Sequence, residues 1–96
     1  MIRNFANKTA QDVYDGINSP YARRLPLELH AKAMRLLDQI NAAISLQVLR
    51  IPPGNRLEKL TGDLQGFLSL RINDRFRIIF RWDGNDAFDV KIIDYR

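Results

Sequence analysis

The sequence contains no cysteine among its 96 residues. This absence excludes disulfide bonds, thiolate catalysis and cysteine-based zinc sites. No segment approaches the roughly 20 apolar residues that a membrane-spanning helix needs. The first residues, MIRNFANK, also lack the apolar run of a secretory signal. We therefore expect a cytoplasmic protein with no membrane partner.

Histidine and the common cofactor motifs are equally scarce. The one histidine, His30, lies near the start of a predicted helix, which excludes a ribonuclease that uses two histidines. Histidines and carboxylates nowhere show metal-ligand spacing. There is no phosphate-binding glycine loop, nucleophile elbow or dinucleotide fingerprint. We expect neither a metal nor a cofactor, so an enzyme with this sequence would depend on arginine, lysine, tyrosine and aspartate side chains.

The residues that are present are typical of one small globular domain, residues 1–96. Hydrophobic residues make up 46% of the chain and charged residues 27%, and a chain this short fills a single core. The net charge is +4 and the pI is about 9.9. This charge favours either a polyanion such as nucleic acid or an acidic protein as partner, and charge alone does not choose between them.

The first half of the sequence predicts a short strand and two helices. Residues 1–6 alternate briefly, and Thr9 with Asp12 resembles a capping box that opens a helix ended by Gly16. Pro26 suits the first turn of a second, longer helix. Apolar residues then recur at spacings of three and four and define one buried stripe: Leu29, Ala33, Leu36, Leu37, Ile40 and Ile44.

The second half predicts an antiparallel sheet. The segment IPPGN ends an irregular connector, and residues 56–61 form a short strand. Residues 68–82 form a hairpin, and a DGND turn precedes a last strand at residues 88–93. Helices followed by a meander of strands indicate an α+β fold of two layers.

The hairpin LSLRINDRFRIIFRW is also the most cationic segment. A three-residue loop pairs Ile72 with Phe76 and keeps apolar residues together, whereas a two-residue loop sets apolar residues against charged ones. In the preferred register Arg71 faces Arg77. Like charges directly opposite each other destabilise a sheet by up to about 1 kcal/mol. We therefore expect an anion, with phosphate as the first choice, to bind between or above them.

Strand parity assigns six cations to the sheet face away from the helices: Lys59, Arg71, Arg75, Arg77, Arg81 and Lys91. An ordinary solvated face would also carry charge. The choice of arginine over lysine nevertheless favours bidentate contacts to phosphate.

The register of the second hairpin stays open between two alternatives. In the first, three pairs face each other: Trp82 and Phe88, Arg81 and Asp89, and Arg75 and Tyr95. In the second, shifted by two residues, Arg77 faces Lys91. In both, the end of the chain lies near the arginines.

The last residues, Asp94, Tyr95 and Arg96, form a second cluster of interest. Terminal residues are often frayed. Asp94 nevertheless continues the inward parity of the last strand and emerges beside arginines, where a shifted pKa and a structural salt bridge are equally open. Tyr95 has the opposite parity and can stack on a base or donate a proton.

Two long motifs resemble the HigB toxins of the RelE/ParE superfamily of bacterial toxin–antitoxin modules. They are PPGNRLEKLTGDLQGFLSLRINDRFRIIF and the terminal DVKIIDYR, and the rest of the chain fits the same pattern. The resemblance implies a RelE-like fold, with two N-terminal helices packed on a curved antiparallel sheet. It also implies ribosome-dependent cleavage of messenger RNA, inhibition of translation and neutralisation by a HigA-type helix-turn-helix antitoxin.

The resemblance assigns roles to individual residues. It implies catalytic roles for Arg77, Arg71, Asp94 and Tyr95. Six further cations are expected to contact RNA or the ribosome: Lys59, Arg56, Arg75, Arg81, Lys91 and Arg96. The sequence departs from the family pattern at four positions. Arg96 replaces the histidine with which the family often ends, and Phe76 replaces a common tryptophan. Glu58 and Thr61 occupy positions where some members carry histidine and lysine.

The mechanism that fits both the resemblance and the residues is attack of an RNA 2′-hydroxyl on the neighbouring phosphorus. Arg77 and Arg71 would stabilise the added charge, and Tyr95 or Asp94 would take the proton. Lys59 or Arg96 would assist the leaving oxygen. The alternative is a binding protein without nuclease activity, such as a gyrase-targeting toxin or an inactive relative of the same fold.

Overall fold

A computed structural model of the protein describes residues 1–95, so the predicted contact of Arg96 lies outside the described residues. The first helix, α1, spans Lys8–Asp15. Its N-cap is Asn7, whose side-chain oxygen accepts a hydrogen bond from the backbone of Ala10 at 3.0 Å. The predicted cap at Thr9 is therefore wrong, since Thr9 donates to the carbonyl of Tyr21 instead. Gly16, with φ 72°, ends the helix as predicted.

The second helix, α2, spans His30–Ala42 and follows a short 3₁₀ turn at Leu27–Leu29. Its buried residues are Ala33, Leu36, Leu37 and Ile40, which confirms the predicted stripe. Ile44 was placed on that stripe wrongly. The backbone of Ala43 is already extended, so the helical period stops there and Ile44 is 76% exposed. Neither helix within residues 1–95 is long and apolar enough to cross a membrane.

The four strands form an antiparallel meander in the order β1-β2-β3-β4. Their bounds are β1 Glu58–Lys59, β2 Leu68–Arg71, β3 Phe76–Asp83 and β4 Asp86–Asp94. The strand predicted at residues 1–6 reduces to two isolated parallel bridges, from Ile2 and Phe5 to β4. The strand predicted at residues 56–61 shortens to β1, because Arg56 takes a left-handed conformation and a 3₁₀ turn begins at Gly62.

Both helices pack on one face of this sheet and enclose the main core. Asn7 ties α1 to β4, since its Nδ2 donates to the carbonyl of Ile92 at 2.8 Å. The largest fully buried side chains of this core come from α2 and from β2, β3 and β4: Leu36, Leu37, Ile40, Leu70, Ile72, Ile78, Phe80 and Val90. The α+β fold with two helices and an antiparallel sheet is confirmed.

The β2–β3 hairpin has the predicted register. Arg71 lies opposite Arg77, and the backbone of Ile72 donates to the carbonyl of Phe76 at 3.0 Å. The side-chain oxygen of Asn73 accepts from the backbone of Phe76 at 2.8 Å, which closes the three-residue loop. The two arginines therefore face each other, as the pairing argument required.

The β3–β4 hairpin combines the first predicted register with a bulge. Near its open end Arg77 pairs with Ile93, but near the turn Arg81 pairs with Phe88. On β3 one residue separates Ile79 from Arg81, whereas on β4 two residues, 89 and 90, separate their partners Lys91 and Phe88. Asp89, with φ 53°, is the bulged residue. The predicted pairing of Trp82 with Phe88 is therefore wrong.

The bulge also changes which side chains face the core. Ala87 pairs with Trp82 and is fully buried, while Phe88 pairs with Arg81 and is only half-buried. Between the bulge and the end of β4 the first predicted register holds. In agreement with it, the backbone of Tyr95 donates to the carbonyl of Arg75 at 2.6 Å. The alternative register, with Arg77 opposite Lys91, is wrong.

Candidate functional site

The sheet face away from the helices carries the cations of the candidate site. We call it the arginine face and define it by Arg71, Arg77, Arg81 and Lys91. The sequence analysis left an ordinary solvated face open as one alternative, but part of this face is covered. The segment that joins β1 to β2 folds over part of it and buries a second, smaller apolar cluster of Leu60, Phe67 and Ile79, against which Leu64 and Ile93 pack.

Arg77 lies at the centre of the arginine face and is held from three sides. Arg71 faces it across the hairpin, and Nη1 of Arg77 lies 3.5 Å from Oε1 of Glu58. Its guanidinium carbon lies 5.2 Å from the centre of the Tyr95 ring. The side chain is only 15% exposed, and its buried Nε has no hydrogen-bond partner among residues 1–95.

Arg71 is compensated by a different carboxylate. It donates a hydrogen bond to Asp74 in the hairpin loop, and its own side chain is 26% exposed. The facing guanidinium groups are thus each paired with an acid, Arg71 with Asp74 and Arg77 with Glu58. Both acids are well exposed, at 93% and 54% of the side chain. They occupy positions where the negative charge of a bound phosphate would also be stabilised.

Tyr95 and Asp94 lie on opposite faces at the end of β4. Tyr95 is 42% exposed and contacts Arg77 on the arginine face. Asp94 pairs with Phe76, whose side chain belongs to the main core, so Asp94 is on the helix side. The structure therefore places Tyr95 against Arg77 and Asp94 on the other face of the sheet.

Arg75 accompanies Asp94 and not Arg77. Its Nε and Nη2 both donate to Oδ2 of Asp94, at 2.9 and 2.7 Å. The hydrogen bond to Asp94 raises the pKa of the Arg75 guanidinium above its ordinary value. Both side chains line a cavity of about 300 Å³ between the start of α1 and the end of β4. The assignment of Arg75 to the arginine face is therefore wrong.

Arg81 and Lys91 form the far end of the arginine face and share one aromatic ring. The Arg81 guanidinium carbon lies 4.3 Å from the centre of the Phe67 ring, and Lys91 Nζ lies 5.2 Å from it. Arg81 Nε also lies 3.4 Å from Asp89. Gly66 makes this arrangement possible, because a Cβ atom there would stand 2.7 Å from Nη1 of Arg81.

Two further predicted cations lie away from these arginines. Lys59 pairs with Leu68, whose side chain faces the main core, so its parity is opposite to that of Arg77 and its placement on the arginine face is wrong. It lines a groove of about 640 Å³ beside Trp82 at the other end of the sheet. Arg56 is exposed in the turn before β1.

Glu58 is the residue of this site that the sequence analysis passed over. It was noted only as a departure from the family pattern, although its place in the short strand already put it on one side together with Leu60. Because Lys59 was assigned to the arginine face, Glu58 and Leu60 were implied to face the helices. Both instead lie on the arginine face, where Glu58 contacts Arg77 and Leu60 belongs to the small cluster. Within residues 1–95 no group of three histidine, aspartate or glutamate side chains converges to hold a metal ion.

Comparison with known proteins agrees with this fold. The family model that matches residues 3–96 describes a RelE-like toxin of type II toxin–antitoxin systems. The chain belongs to the HigB-like toxin family, which confirms the resemblance noted in its motifs.

Proteins similar to the chain include two curated proteins and a solved structure. Toxin HigB-1 of Vibrio cholerae is 37% identical over 82 residues, 85% of this chain and 84% of that protein. An uncharacterized protein of Haemophilus influenzae is 33% identical over 64 residues, 67% of this chain and 63% of that protein. The crystal structure of YafQ from E. coli aligns with a TM-score of 0.58 at 15% identity, covering 98% of this chain and 91% of YafQ, and supports the fold alone.

Proposed function

We propose that this toxin is a metal-independent endoribonuclease that cuts messenger RNA on the ribosome and so inhibits translation. The observation that carries the proposal is the facing pair of Arg71 and Arg77, with the Tyr95 ring against Arg77. Two guanidinium groups on adjacent strands can both donate to one phosphate. A phosphate that drew Arg77 outward would also give its orphaned Nε a partner, and a buried donor without one costs about 1–3 kcal/mol.

The proposed reaction is attack of the RNA 2′-oxygen on the adjacent phosphorus, with release of a 5′-hydroxyl and a cyclic phosphate. The phosphorane-like transition state carries one more negative charge than the substrate. Arg77 and Arg71 stabilise that charge. Their interactions with the phosphate are therefore stronger in the transition state than in the bound substrate, which lowers the barrier. The reaction needs no metal and no cofactor, because the chain supplies the cations itself.

The ribosome is the second part of the proposal. The two facing arginines and Tyr95 make a poor set of general acids and bases, so orientation of the substrate has to supply much of the rate. Orientation can lower a barrier by about 7–11 kcal/mol in favourable cases. Arg81 and Lys91 continue the positive surface away from Arg77 and suit contacts to ribosomal RNA, with Arg56 and Lys59 nearer the sheet edge. We therefore expect slow cutting of free RNA.

Primer extension on translated and untranslated message tests both parts. We expect translated message to be cut much faster than untranslated message, and a loss of about 100-fold or more in rate for Arg77→Ala. Arg35→Ala is the matched control, because Arg35 is an exposed arginine on α2 in the helical layer. Equal cutting of untranslated RNA, or full activity of Arg77→Ala, would refute the proposal. Growth arrest with DNA damage and intact messages would favour the gyrase-targeting alternative.

The proposed partner in the cell is a HigA-type helix-turn-helix antitoxin in the cytoplasm. The family description, a toxin of type II toxin–antitoxin systems, supports an antitoxin of some kind, and the +4 charge suits an acidic partner. Co-expression with the adjacent helix-turn-helix reading frame should restore growth and yield a stable complex on purification. A toxin that stays fully inhibitory under co-expression would contradict this part of the proposal.

A further inference from the structure

We propose that Ser69 is a further substrate-binding residue, and that its hydroxyl donates a hydrogen bond to the phosphate held by Arg71 and Arg77. This inference rests on the proposed nuclease function and adds a phosphate donor to the same site. Ser69 lies in β2 two residues before Arg71, so its side chain points to the arginine face. Its neighbours across the sheet are Glu58 on β1 and Ile79 on β3.

The Ser69 hydroxyl is buried and has no hydrogen-bond partner. Only 1% of the residue is exposed, and its Oγ makes no hydrogen bond within residues 1–95. A buried hydroxyl without a partner destabilises a fold, and alanine would fill almost the same space without that cost. A serine at this position therefore needs an explanation other than stability.

The unpartnered polar atoms of the described chain concentrate at this site. Three buried side-chain atoms lack a hydrogen bond within residues 1–95, and two of them, Ser69 Oγ and Arg77 Nε, lie on the arginine face. The third, Oδ1 of Asp12, belongs to α1 and lies 3.4 Å from Nζ of Lys8. Both atoms on the arginine face can donate a hydrogen bond. Two such donors suit a ligand that supplies acceptors, and a phosphate supplies several.

The ion pair between Arg77 and Glu58 explains why Ser69 is covered. Arg77 is on β3 and Glu58 is on β1, and β2 lies between these two strands. Adjacent strands are about 4.8 Å apart, so the two side chains can approach to 3.5 Å only by reaching over β2. Ser69 lies directly opposite Glu58 there, and its small side chain leaves room beneath the pair. A phosphate that replaces Glu58 as the partner of Arg77 would therefore lie over the Ser69 hydroxyl.

A hydroxyl beneath the phosphate complements the two arginines. The guanidinium groups of Arg71 and Arg77 stand at the ends of long side chains, whereas Oγ of Ser69 is bonded directly to the Cβ atom of a strand residue and has a nearly fixed position. The three donors together would hold the phosphate in one orientation toward the attacking 2′-oxygen. Such orientation is what an enzyme with a poor set of acids and bases needs.

The decisive experiment compares Ser69→Ala with Ser45→Ala in single-turnover cutting on programmed ribosomes. Ser45 is the matched control, because it is a partly buried serine after α2 whose side chain does not cap the 3₁₀ turn that follows. We expect Ser69→Ala to cut about 10- to 100-fold more slowly than wild type, as the loss of a hydrogen bond to a charged group implies. Ser45→Ala should cut like wild type. A wild-type rate for Ser69→Ala would overturn the inference.

Urea denaturation separates a binding role from a structural one. Removal of an unpartnered hydroxyl should leave the urea midpoint of Ser69→Ala unchanged or raise it. A variant that is slower but at least as stable as wild type is the result that a binding residue predicts. A lower midpoint together with slower cutting would show that Ser69 serves the fold, and would overturn the inference.

Sulfur substitution tests the contact itself. Each non-bridging oxygen of the phosphate at the cut site is replaced by sulfur in turn, and sulfur accepts hydrogen bonds poorly. We expect one of the two substitutions to slow wild type by a larger factor than it slows Ser69→Ala, because the variant has already lost that hydrogen bond. Equal factors for both proteins at both positions would contradict the proposed contact.

Inorganic phosphate tests the site without the nuclease reaction. A ligand of the folded state raises the melting temperature, whereas the general stabilising effect of phosphate is common to all variants. Against chloride at the same ionic strength, phosphate should raise the melting temperature of wild type and Ser45→Ala more than that of Ser69→Ala and Arg77→Ala. Equal shifts in wild type and Ser69→Ala would overturn the inference.

The two proposals fail in different ways. If wild type and Ser69→Ala cut translated message equally fast while Arg77→Ala is inactive, the nuclease proposal stands and the role of Ser69 is refuted. If phosphate stabilises wild type more than Ser69→Ala but wild type does not cut, the phosphate contact of Ser69 stands and the nuclease proposal is refuted.

Discussion

The two faces of the sheet differ in how completely the chain covers them. On the helix side, α1 and α2 close a core whose largest side chains, such as Leu36 and Phe80, are fully buried. On the arginine face, as far as residues 1–95 show, the buried cluster consists of Leu60, Phe67 and Ile79. The rest of the arginine face carries guanidinium groups that are paired with exposed carboxylates. Stability therefore comes mainly from the first face, and binding chemistry is left to the second.

The largest effect expected from this comparison is on stability. Phe80→Ala removes a fully buried ring from the main core and should lower the free energy of unfolding by about 3–5 kcal/mol. Leu60→Ala, in the small cluster, should cost about 2 kcal/mol, at the low end for such truncations, because its surroundings can collapse into the space. Urea denaturation measures both. Equal losses of unfolding free energy in the two variants would contradict the conclusion that the helix side of the sheet contributes more to stability than the arginine face.

The next effect separates stability from activity at a single residue. Arg71→Gln removes one of two facing like charges, so the free energy of unfolding should stay the same or rise by up to about 1 kcal/mol. Cutting of translated message should nevertheless fall by about 10- to 100-fold, since one phosphate donor is lost. Denaturation and primer extension on the same preparation test this. A destabilised but fully active Arg71→Gln would show that Arg71 serves the fold.

Some features of this structure can be predicted from the sequence alone, and they are the ones that several residues specify together. Period-two alternation and the need to keep apolar residues together are enough to predict the register of β2 with β3, and hence the facing Arg71 and Arg77. The buried stripe of α2 follows from its spacing in the same way. These features succeed because each rests on several residues that agree.

Features that depend on one residue were missed. The bulge at Asp89 inserts a single residue into β4, which leaves the alternation on either side intact and has no signature in composition. Lys59 was assigned to the wrong face because a two-residue strand is too short to establish parity. Asn7 and Thr9 are both good caps, and only the packing of Asn7 against Ile92 decides between them.

A smaller effect tests how the arginine face is positioned at its far end. Gly66→Ala introduces a Cβ atom that would stand 2.7 Å from Nη1 of Arg81, so the guanidinium must leave the Phe67 ring. Gly62→Ala is the matched control, because Gly62 also has a positive φ but no atom within 4 Å of its Cβ position. Both should lose about 1 kcal/mol or more of stability from left-handed strain.

Only Gly66→Ala should also weaken binding to ribosomes, by a few-fold, as Arg81→Ala should. Sedimentation with purified ribosomes at several salt concentrations measures this, and the loss should be greatest at low salt. If the two glycine variants bind equally well, the position of Arg81 against Phe67 does not matter for binding.

The smallest effect lies at the edge of the sheet, where Asp86 holds the start of the chain against β4. Arg3 Nε lies 3.1 Å from Asp86, and the amino group of Met1 lies 3.4 Å from it. Burial raises the pKa of Asp86, but the hydrogen bonds from Arg3 and from the Met1 amino group outweigh burial and lower the pKa below its ordinary value.

A lowered pKa in the folded state means that Asp86 stabilises the fold above its ordinary pKa, and that this contribution is lost as the pH falls through the lowered value. Asp86→Asn should therefore melt slightly below wild type at neutral pH and approach it in acid. Thermal melts of both proteins across the acid range check this. A difference that stays constant with pH would show that the carboxylate charge is not what holds residues 1–5 to β4.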